Sequence, residues 1–151
     1  MIEISVRPAR ESDAETIRDF QKEMALETEG LVLDNETVTR GVYAVFGDSS
    51  KGRYYVAEYE GSVIASLLIT YEWSDWRNAN VWWFQSVYVL PEFRRKGVFT
   101  MMYDHITNAA ISEGIAGLRL YVETSNIRAH KTYETMGMDG SHYKMYEWLR
   151  D

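Results

Sequence analysis

A strand-like run, a turn with three consecutive basic residues and a helix-like run follow one another directly between residues 81 and 112. Residues 81–89 are dense in β-branched and aromatic side chains, which is typical of a strand. From Val98 to Ala110 the apolar side chains recur at steps of three and four, which predicts a helix over residues 98–112. Residues 90–97 leave no room for another element, so the chain has to pass from a strand through a basic turn into a helix.

The basic turn has the composition of an anion site. Arg94, Arg95 and Lys96 are consecutive cations, and Gly97 allows a ligand to come close to the main chain. The start of a helix adds backbone N–H groups without internal partners and the positive end of the helix dipole. These features predict a site for an anion, and specifically for a phosphate group. The alternative is a solvated surface turn, which is the usual setting of a charge run.

The spacing of this turn resembles a signature of the GNAT family of acyl-CoA-dependent N-acetyltransferases. Arg94-x-x-Gly97-x-Phe99 is similar to the family pattern Arg/Gln-x-x-Gly-x-Gly/Ala, with Phe99 in place of the usual small residue. The resemblance implies that the amides of the turn hold the pyrophosphate of acetyl-CoA, and that the Phe99 side chain points away from it. The implied cofactor contacts here are Arg94, Arg95, Lys96, Gly97, Val98, Phe99 and Thr100.

Residues 120–138 resemble the second motif of the same family. Asn126, Ala129, Tyr133 and Gly137 stand at the family spacing, and Met138 replaces the usual Phe. The resemblance implies that Asn126 and Tyr133 contact the cofactor, and that Tyr133 protonates the departing CoA thiolate. On the residues alone, Asn126 can equally be a helix cap, and Tyr133 can be a core residue with a satisfied hydroxyl.

The order of elements along the chain is predicted as β-α-α-β-β-β-α-β-α-β. The fold class expected is α/β (α+β mixed) and GNAT-like, with a mostly antiparallel central sheet of about six to seven strands and helices on both faces. The whole chain, residues 1–151, is expected to form a single acetyltransferase domain. Its predicted strands cover residues 2–6, 54–59, 63–71, 81–89, 118–122 and 142–148.

Composition excludes several classes of function. The absence of cysteine excludes disulfides, thiolate metal sites and a cysteine nucleophile, and three scattered histidines argue against a metal enzyme. The net charge of −7 argues against nucleic-acid binding. There is no apolar run of about 18 residues and no basic-then-apolar leader. We therefore expect a cytoplasmic protein with no metal, no nucleic-acid partner and no membrane partner.

Acetyl transfer from a thioester to an amine places requirements on the strand before the turn. The thioester carbonyl has to be polarised by a main-chain N–H, which makes Val87, Tyr88 and Val89 expected cofactor contacts. Members of the resembled family often carry Glu or Asp near the end of this strand, where this chain has Gln85 and Ser86.

Glu72, at the end of the preceding predicted strand, is the candidate general base instead. It would take a proton from the amine directly or through a water molecule, because only the neutral amine has a lone pair for the attack. The alternative is an ordinary solvated carboxylate.

The acceptor is expected on the acidic side of the molecule. Residues 1–75 carry a net charge of −8 and residues 76–151 a net charge of +1, which suits a cationic acceptor and an anionic cofactor. The residues expected to bind it are Glu27, Glu29, Tyr71, Trp73, Trp76 and Gln85. The alternative is a solvated acidic face beside ordinary core aromatics.

These observations predict an N-acetyltransferase that uses acetyl-CoA as cosubstrate and acts on a primary amine of a small molecule or peptide. Direct attack in a ternary complex is expected, since no nucleophile suited to a covalent intermediate is visible. A second hypothesis is a non-catalytic acyl-CoA-binding regulatory module, which Gln85, Ser86 and Phe99 favour. A third is a protein-interaction domain that binds no cofactor. Dimers are common in the resembled family, which leaves a homodimer open.

Overall fold

The computed structural model describes residues 3–150. The chain divides into two compact units, Met1–Arg119 and Leu120–Asp151. The strands of the first unit are β1 (Ser5–Pro8), β2 (Arg53–Tyr59), β3 (Ser62–Ser74), β4 (Ala79–Val89) and β5 (Gly117–Arg119). Its helices are α1 (Ala14–Glu29), α2 (Asn35–Gly47) and α3 (Val98–Ser112), with short 3-10 turns at Glu11–Asp13 and Pro91–Phe93. The second unit contains α4 (Ile127–Thr135).

The five strands lie in one sheet in the order β1-β2-β3-β4-β5. The first four are antiparallel to their neighbours, and β5 runs parallel to β4. Such a mixed sheet follows from the connections, because a tight hairpin joins antiparallel strands whereas the parallel pair requires a crossover, here α3.

Helices cover both faces of the sheet, as the sequence predicts. On one face α1 and α2 pack over Tyr54 and Val56, in a cluster that also contains Ile17 and Val42. On the other face α3 packs over Tyr55, whose ring lies 5.7 Å from that of His105. Neighbouring residues of β2 thus serve opposite faces, which is the period-two pattern of a fully covered strand.

A β-bulge interrupts β4 near its end. Tyr88 lies opposite Ser66 of β3, whereas Gln85 lies opposite Leu68. Residues 86 and 87 of β4 therefore lie opposite one residue of β3, so β4 contains one residue more than a regular ladder would.

The bulge changes the face to which β4 presents its side chains. Phe84 stacks on Tyr103 of α3 with ring centroids 5.7 Å apart, whereas Tyr88 contacts Phe20 of α1 at 5.1 Å. In a regular strand, positions 84 and 88 would share a face. Ser86 accommodates the extra residue with a left-handed φ of 51°, which costs a non-glycine residue about 1 kcal/mol.

The second unit has a local organisation of its own. The Asn126 side chain accepts a hydrogen bond from the Ala129 N–H at 3.2 Å and caps α4. Gly137 follows the end of that helix with a φ of 90°, a conformation that glycine adopts without steric cost. The capping role left open for Asn126 is therefore observed.

Two sequence predictions about the sheet are wrong. The described residues form five strands rather than six to seven, and residues 142–148 form no strand. The predicted strand over residues 118–122 is limited to Gly117–Arg119. Alternation alone does not make a strand, because a strand also needs a paired neighbour and a face to bury. Tyr146 and Trp148, two side chains of the alternating tail, are 85% and 86% exposed.

The first strand begins at Ser5 rather than at residue 2, and Ile2 lies outside the described residues. The prediction of a single domain stays a prediction.

Candidate active site

The turn between β4 and α3 exposes its main chain. Arg95 and Gly97 have φ values of 64° and 80°, so two left-handed residues flank Lys96. Apart from Gly97 itself and its neighbours Lys96 and Val98, no atom of the described residues lies within 4 Å of the position that a Cβ on Gly97 would take. The backbone at Gly97 is therefore not covered by side chains from other parts of the described chain.

The start of α3 completes a set of donors at this turn. The first helical hydrogen bond runs from the Met101 N–H to the Gly97 carbonyl at 3.0 Å, so the Val98 and Thr100 N–H groups precede it. In the described part of the chain, no side chain caps this helix start. With Arg95 and Lys96 exposed beside it, the turn combines backbone donors, the positive end of a helix dipole and two cations.

Phe99 does not obstruct this turn. Its ring lies 6.0 Å from that of Phe84 in β4 and 6.3 Å from that of Tyr103 one helical turn later. The bulky side chain at the position usually small in the family signature therefore points towards the sheet and packs there.

The edge of β4 next to the turn is open within the first unit. In that unit's described residues, β5 pairs with β4 only over residues 81–83, so residues 84–89 have no strand on that side. The Leu90 N–H donates to the Ile64 carbonyl on the β3 side at 2.9 Å. Because N–H directions alternate along a strand, the Val89 N–H points to the open edge. An extended ligand can add to such an edge as a strand would.

Arg94 directs its side chain back to the strand and to α1. Its Nε donates to the Val89 carbonyl at 2.9 Å, and its two terminal nitrogens donate to both carboxylate oxygens of Glu27. The guanidinium also lies over the Tyr88 ring, 5.4 Å from its centroid. The Arg94 guanidinium holds the pKa of Glu27 below its usual range. A predicted cofactor residue and a predicted acceptor residue thus pair with each other.

Glu72 lies in a polar group that spans three strands. Its carboxylate accepts from the Trp83 indole N–H at 2.7 Å and from Arg119 at 2.9 Å and 3.0 Å. The Trp83 hydrogen bond, and after it the Arg119 hydrogen bond, lower the pKa of Glu72. At neutral pH the side chain is an ionised carboxylate with low basicity, which suits attraction of a cation better than proton abstraction.

The sequence model of the Acetyltransferase (GNAT) family matches residues 15–138. The chain belongs to the GNAT acetyltransferase family. Acetyl transfer from acetyl-CoA is the reaction of this family, and the fold class with helices on both faces of a mixed sheet agrees with it.

Individual relatives agree with this assignment. A crystal structure of a possible acetyltransferase from Clostridium difficile 630 is 45% identical, covers 100% of this chain and 99% of that one, and has a TM-score of 0.90. The thialysine N-epsilon-acetyltransferase of Mus musculus is 28% identical over 91% of this chain and 85% of its own length. A predicted acetyltransferase from Clostridium acetobutylicum, solved with acetyl-CoA, shares the fold at 19% identity and a TM-score of 0.73, over 98% of this chain and 95% of that one.

The second GNAT motif lies in the second unit. Tyr133 is half-buried on α4, and burial raises the pKa of its phenol. The hydroxyl is therefore protonated at neutral pH, as a proton donor has to be.

The predicted acceptor residues do not form one cluster in this GNAT chain. Glu27 pairs with Arg94, and Glu29 is the exposed last residue of α1. The Tyr71 ring lies near Trp82 on the α3 face, so strand alternation places the neighbouring Glu72 on the opposite face. The remaining three members, which lie on β3, its following turn and β4, are the exposed Trp73 and Trp76 and the half-buried Gln85.

Two residues of this site escaped sequence reasoning. Trp83 and Arg119 reach Glu72 only because β4 lies between β3 and β5 with Trp83 opposite Arg119. The sequence does indicate that Trp83 and Gln85 lie on the same face of the predicted strand, because they are two positions apart. Knowing which strands are neighbours is the missing information.

Neither a membrane span nor a metal cluster is apparent in the residues covered by the structure. Among residues 3–150, no helix has the length and hydropathy needed to cross a membrane. The same residues gather no group of three or more histidine, aspartate or glutamate side chains that could hold a metal ion.

Proposed function

We propose that this GNAT protein transfers the acetyl group of acetyl-CoA to a primary amine on a small molecule, by direct attack within a ternary complex. The observation that carries the proposal is the turn between β4 and α3. It offers open main chain at Gly97, the start of α3 and two exposed cations, which together suit the pyrophosphate of acetyl-CoA.

The remaining roles follow from the chemistry of the reaction. The open edge of β4 near Val89 would hold the pantetheine arm and polarise the thioester carbonyl through a main-chain N–H. Tyr133, whose pKa is raised by burial, would return a proton to the departing thiolate. Asn126 caps α4 through its side-chain oxygen, and a cofactor contact through its side-chain N–H groups would be compatible with that cap.

The acceptor is proposed to be a cationic primary amine such as the side-chain amine of a lysine-like amino acid. Relatives that align with 91% of this chain act on thialysine by their names. Such an amine has a pKa of about 10.4 in water and arrives as a cation. The ionised Glu72 carboxylate would attract it, and loss of the proton to a water molecule would complete its activation.

Thermal unfolding with and without acetyl-CoA tests the cofactor site. At a hundred times its dissociation constant, the ligand should stabilise the parent by about 2.7 kcal/mol. Gly97→Ala should weaken acetyl-CoA binding by about tenfold or more, because the new Cβ occupies the approach to the turn.

Gly114→Ala is the matched control. Gly114 has a similar φ of 72° and equally open surroundings, so the backbone strain is comparable. It lies beyond the far end of the 15-residue α3, about 22 Å away along the helix. Acetyl-CoA binding should be unchanged in this variant. Equal weakening in both variants would move the cofactor away from the turn, and no stabilisation of the parent would refute the proposal.

Release of CoA with thialysine, lysine, a polyamine and an aminoglycoside tests catalysis. Amine-dependent release with the amino acids as preferred acceptors supports the proposal. Binding of acetyl-CoA without release by any amine would favour the non-catalytic module instead.

A further inference from the structure

Among the three cations of the turn, Arg94 differs from its neighbours in where its side chain goes. Arg95 and Lys96 are exposed, whereas Arg94 is half-buried and uses its Nε and both terminal nitrogens within the protein. A guanidinium in a bidentate pair has its fork directed at the carboxylate and away from any other anion.

The partner of Arg94 lies at an electrostatically unfavourable position of its own helix. Glu27 is in the last turn of α1, where the negative end of the helix dipole repels a carboxylate. That turn also contains Glu29 and no basic residue, so α1 supplies no compensation itself. Arg94, which is 67 positions away in the sequence, provides the opposite charge.

The hydrogen bond from Arg94 to Val89 uses a backbone acceptor at the open edge of β4. The Arg94 Nε occupies the carbonyl of Val89, whose N–H points to the same open edge. The Arg94 side chain thus holds the strand with its Nε and α1 with its two terminal nitrogens.

We propose that Glu27 and Arg94 are positioning residues that fix the cofactor turn against α1 and β4, and leave Arg95, Lys96 and the backbone N–H groups to bind the anion. This inference rests on the proposed binding of acetyl-CoA at the turn. It replaces two direct contacts, Arg94 with cofactor and Glu27 with acceptor, by a single contact within the protein.

The direction in which Glu27→Gln changes the dissociation constant for acetyl-CoA distinguishes a positioning role of Arg94 from direct contact with the cofactor. Glu27→Gln removes a negative charge near the turn and weakens the hold on Arg94. If the pair positions the turn, the dissociation constant for acetyl-CoA should rise about two- to fivefold. If Arg94 instead binds phosphate, Glu27→Gln releases it for that task and the dissociation constant should fall.

Glu23→Gln is the matched control for charge. Glu23 is exposed one helical turn earlier on α1. Burial raises the pKa of Tyr88, and the negative charges of Glu27 and Glu23 both add to that rise. Loss of this charge should leave acetyl-CoA binding unchanged or slightly tighter. The double variant Glu27→Gln/Arg94→Gln should bind acetyl-CoA no more weakly than Arg94→Gln alone, because both changes break the same contact. Additive losses would overturn the proposal.

Trypsin cleavage of the protein without ligand gives a readout that does not depend on acetyl-CoA. The turn contains trypsin sites after Arg94, Arg95 and Lys96, and a turn released from α1 opens more often. Cleavage after Arg95 and Lys96, whose side chains are exposed in the parent as well, should be faster in Glu27→Gln than in the parent and in Glu23→Gln. Equal rates in all three proteins would refute positioning. If the parent does not bind acetyl-CoA but Glu27→Gln is still cleaved faster than the parent, the proposed function is refuted. The Glu27–Arg94 pair would then still hold the turn in place, but not for this cofactor.

Discussion

Two arginine–carboxylate groups lie towards opposite edges of the sheet in the first unit, and they differ in burial. In β1, Arg7 donates to Asp13 at 2.8 Å and to Glu58 at 2.6 Å, with side-chain exposures of 19%, 11% and 26%. In β5, Arg119 donates to Glu72 at 2.9 Å, with exposures of 29% and 41%. The chemistry is the same, but only the second group keeps a large share of its surface for a ligand.

The difference shows how one interaction serves either the scaffold or the site. The Arg7 group joins β1, β2 and the turn that starts α1, and the Asp13 carboxylate also accepts the Arg10 N–H at 2.8 Å. Its charges have little contact with water, so each depends on the others. The Arg119 group lies next to β4, and the Glu72 side chain is 41% exposed, so water has access to its carboxylate. We expect the first group to govern stability and the second to govern the acceptor.

Removal of Arg7 should have the largest effect on stability. Arg7→Met leaves two carboxylates without their shared cation, which should lower the free energy of unfolding by about 3 kcal/mol. Urea denaturation at neutral pH measures this loss. Arg40→Gln is the control, because Arg40 and its partner Glu36 are 79% and 78% exposed and their pair contributes less than about 1 kcal/mol. Similar losses in both variants would mean that burial does not distinguish these pairs.

The second-largest effect on stability is expected when acid protonates the Asp13 carboxylate of the Arg7 group. The Arg7 hydrogen bonds hold the pKa of Asp13 below its ordinary value of 3.8. A carboxylate with a lowered pKa in the folded state stabilises the protein above that ordinary value, and the stabilisation is lost as the pH falls through the folded pKa. Asp13→Asn should therefore be less stable than the parent by about 2 kcal/mol at pH 7, and the difference should shrink below about pH 4.

Unfolding by urea at pH 7 and at pH 3 checks this prediction. Carboxylates outside the Arg7 group are common to both proteins, and their contributions cancel in the difference. A difference that stays constant between the two pH values would show that Asp13 acts through its shape rather than its charge.

Local patterns in the sequence predicted the parts of the fold that local forces determine. The helix expected over residues 98–112 is observed as Val98–Ser112, because its apolar period and its preceding glycine both act within the segment. Strand β3 was expected to end at residue 71 but continues to Ser74, since Ser74 pairs with Ala79 across the hairpin. The alternating tail, residues 142–148, forms no strand, because alternation within a segment does not supply a paired neighbour.

In the candidate site, too, local features could be predicted from the sequence, whereas pairs of residues far apart in the sequence could not. The exposed turn at Gly97 could be predicted, because a helix start and its glycine are local features. The Glu27–Arg94 pair joins residues 67 positions apart, and the Glu72–Arg119 pair joins residues 47 positions apart. Taken alone, the sequence around Glu27, Arg94 and Glu72 predicts a ligand contact or a base, and it predicts no role for Arg119. Charged side chains find partners through the order and register of strands, which the periodicity of one segment does not contain.

The smallest effect on stability, and the most informative one for function, is expected for Glu72→Gln. The amide oxygen can still accept a hydrogen bond from the Trp83 N–H, and the ion pair with Arg119 that is lost is half-exposed. The free energy of unfolding should therefore change by less than about 1 kcal/mol. If Glu72 attracts the cationic acceptor, KM for the amine should rise about tenfold while KM for acetyl-CoA stays the same. A fall in kcat of about a hundredfold with KM unchanged would make Glu72 the general base. No change in either constant would make Glu72 and Arg119 a scaffold pair like that of Arg7, and burial would then fail to separate the two edges.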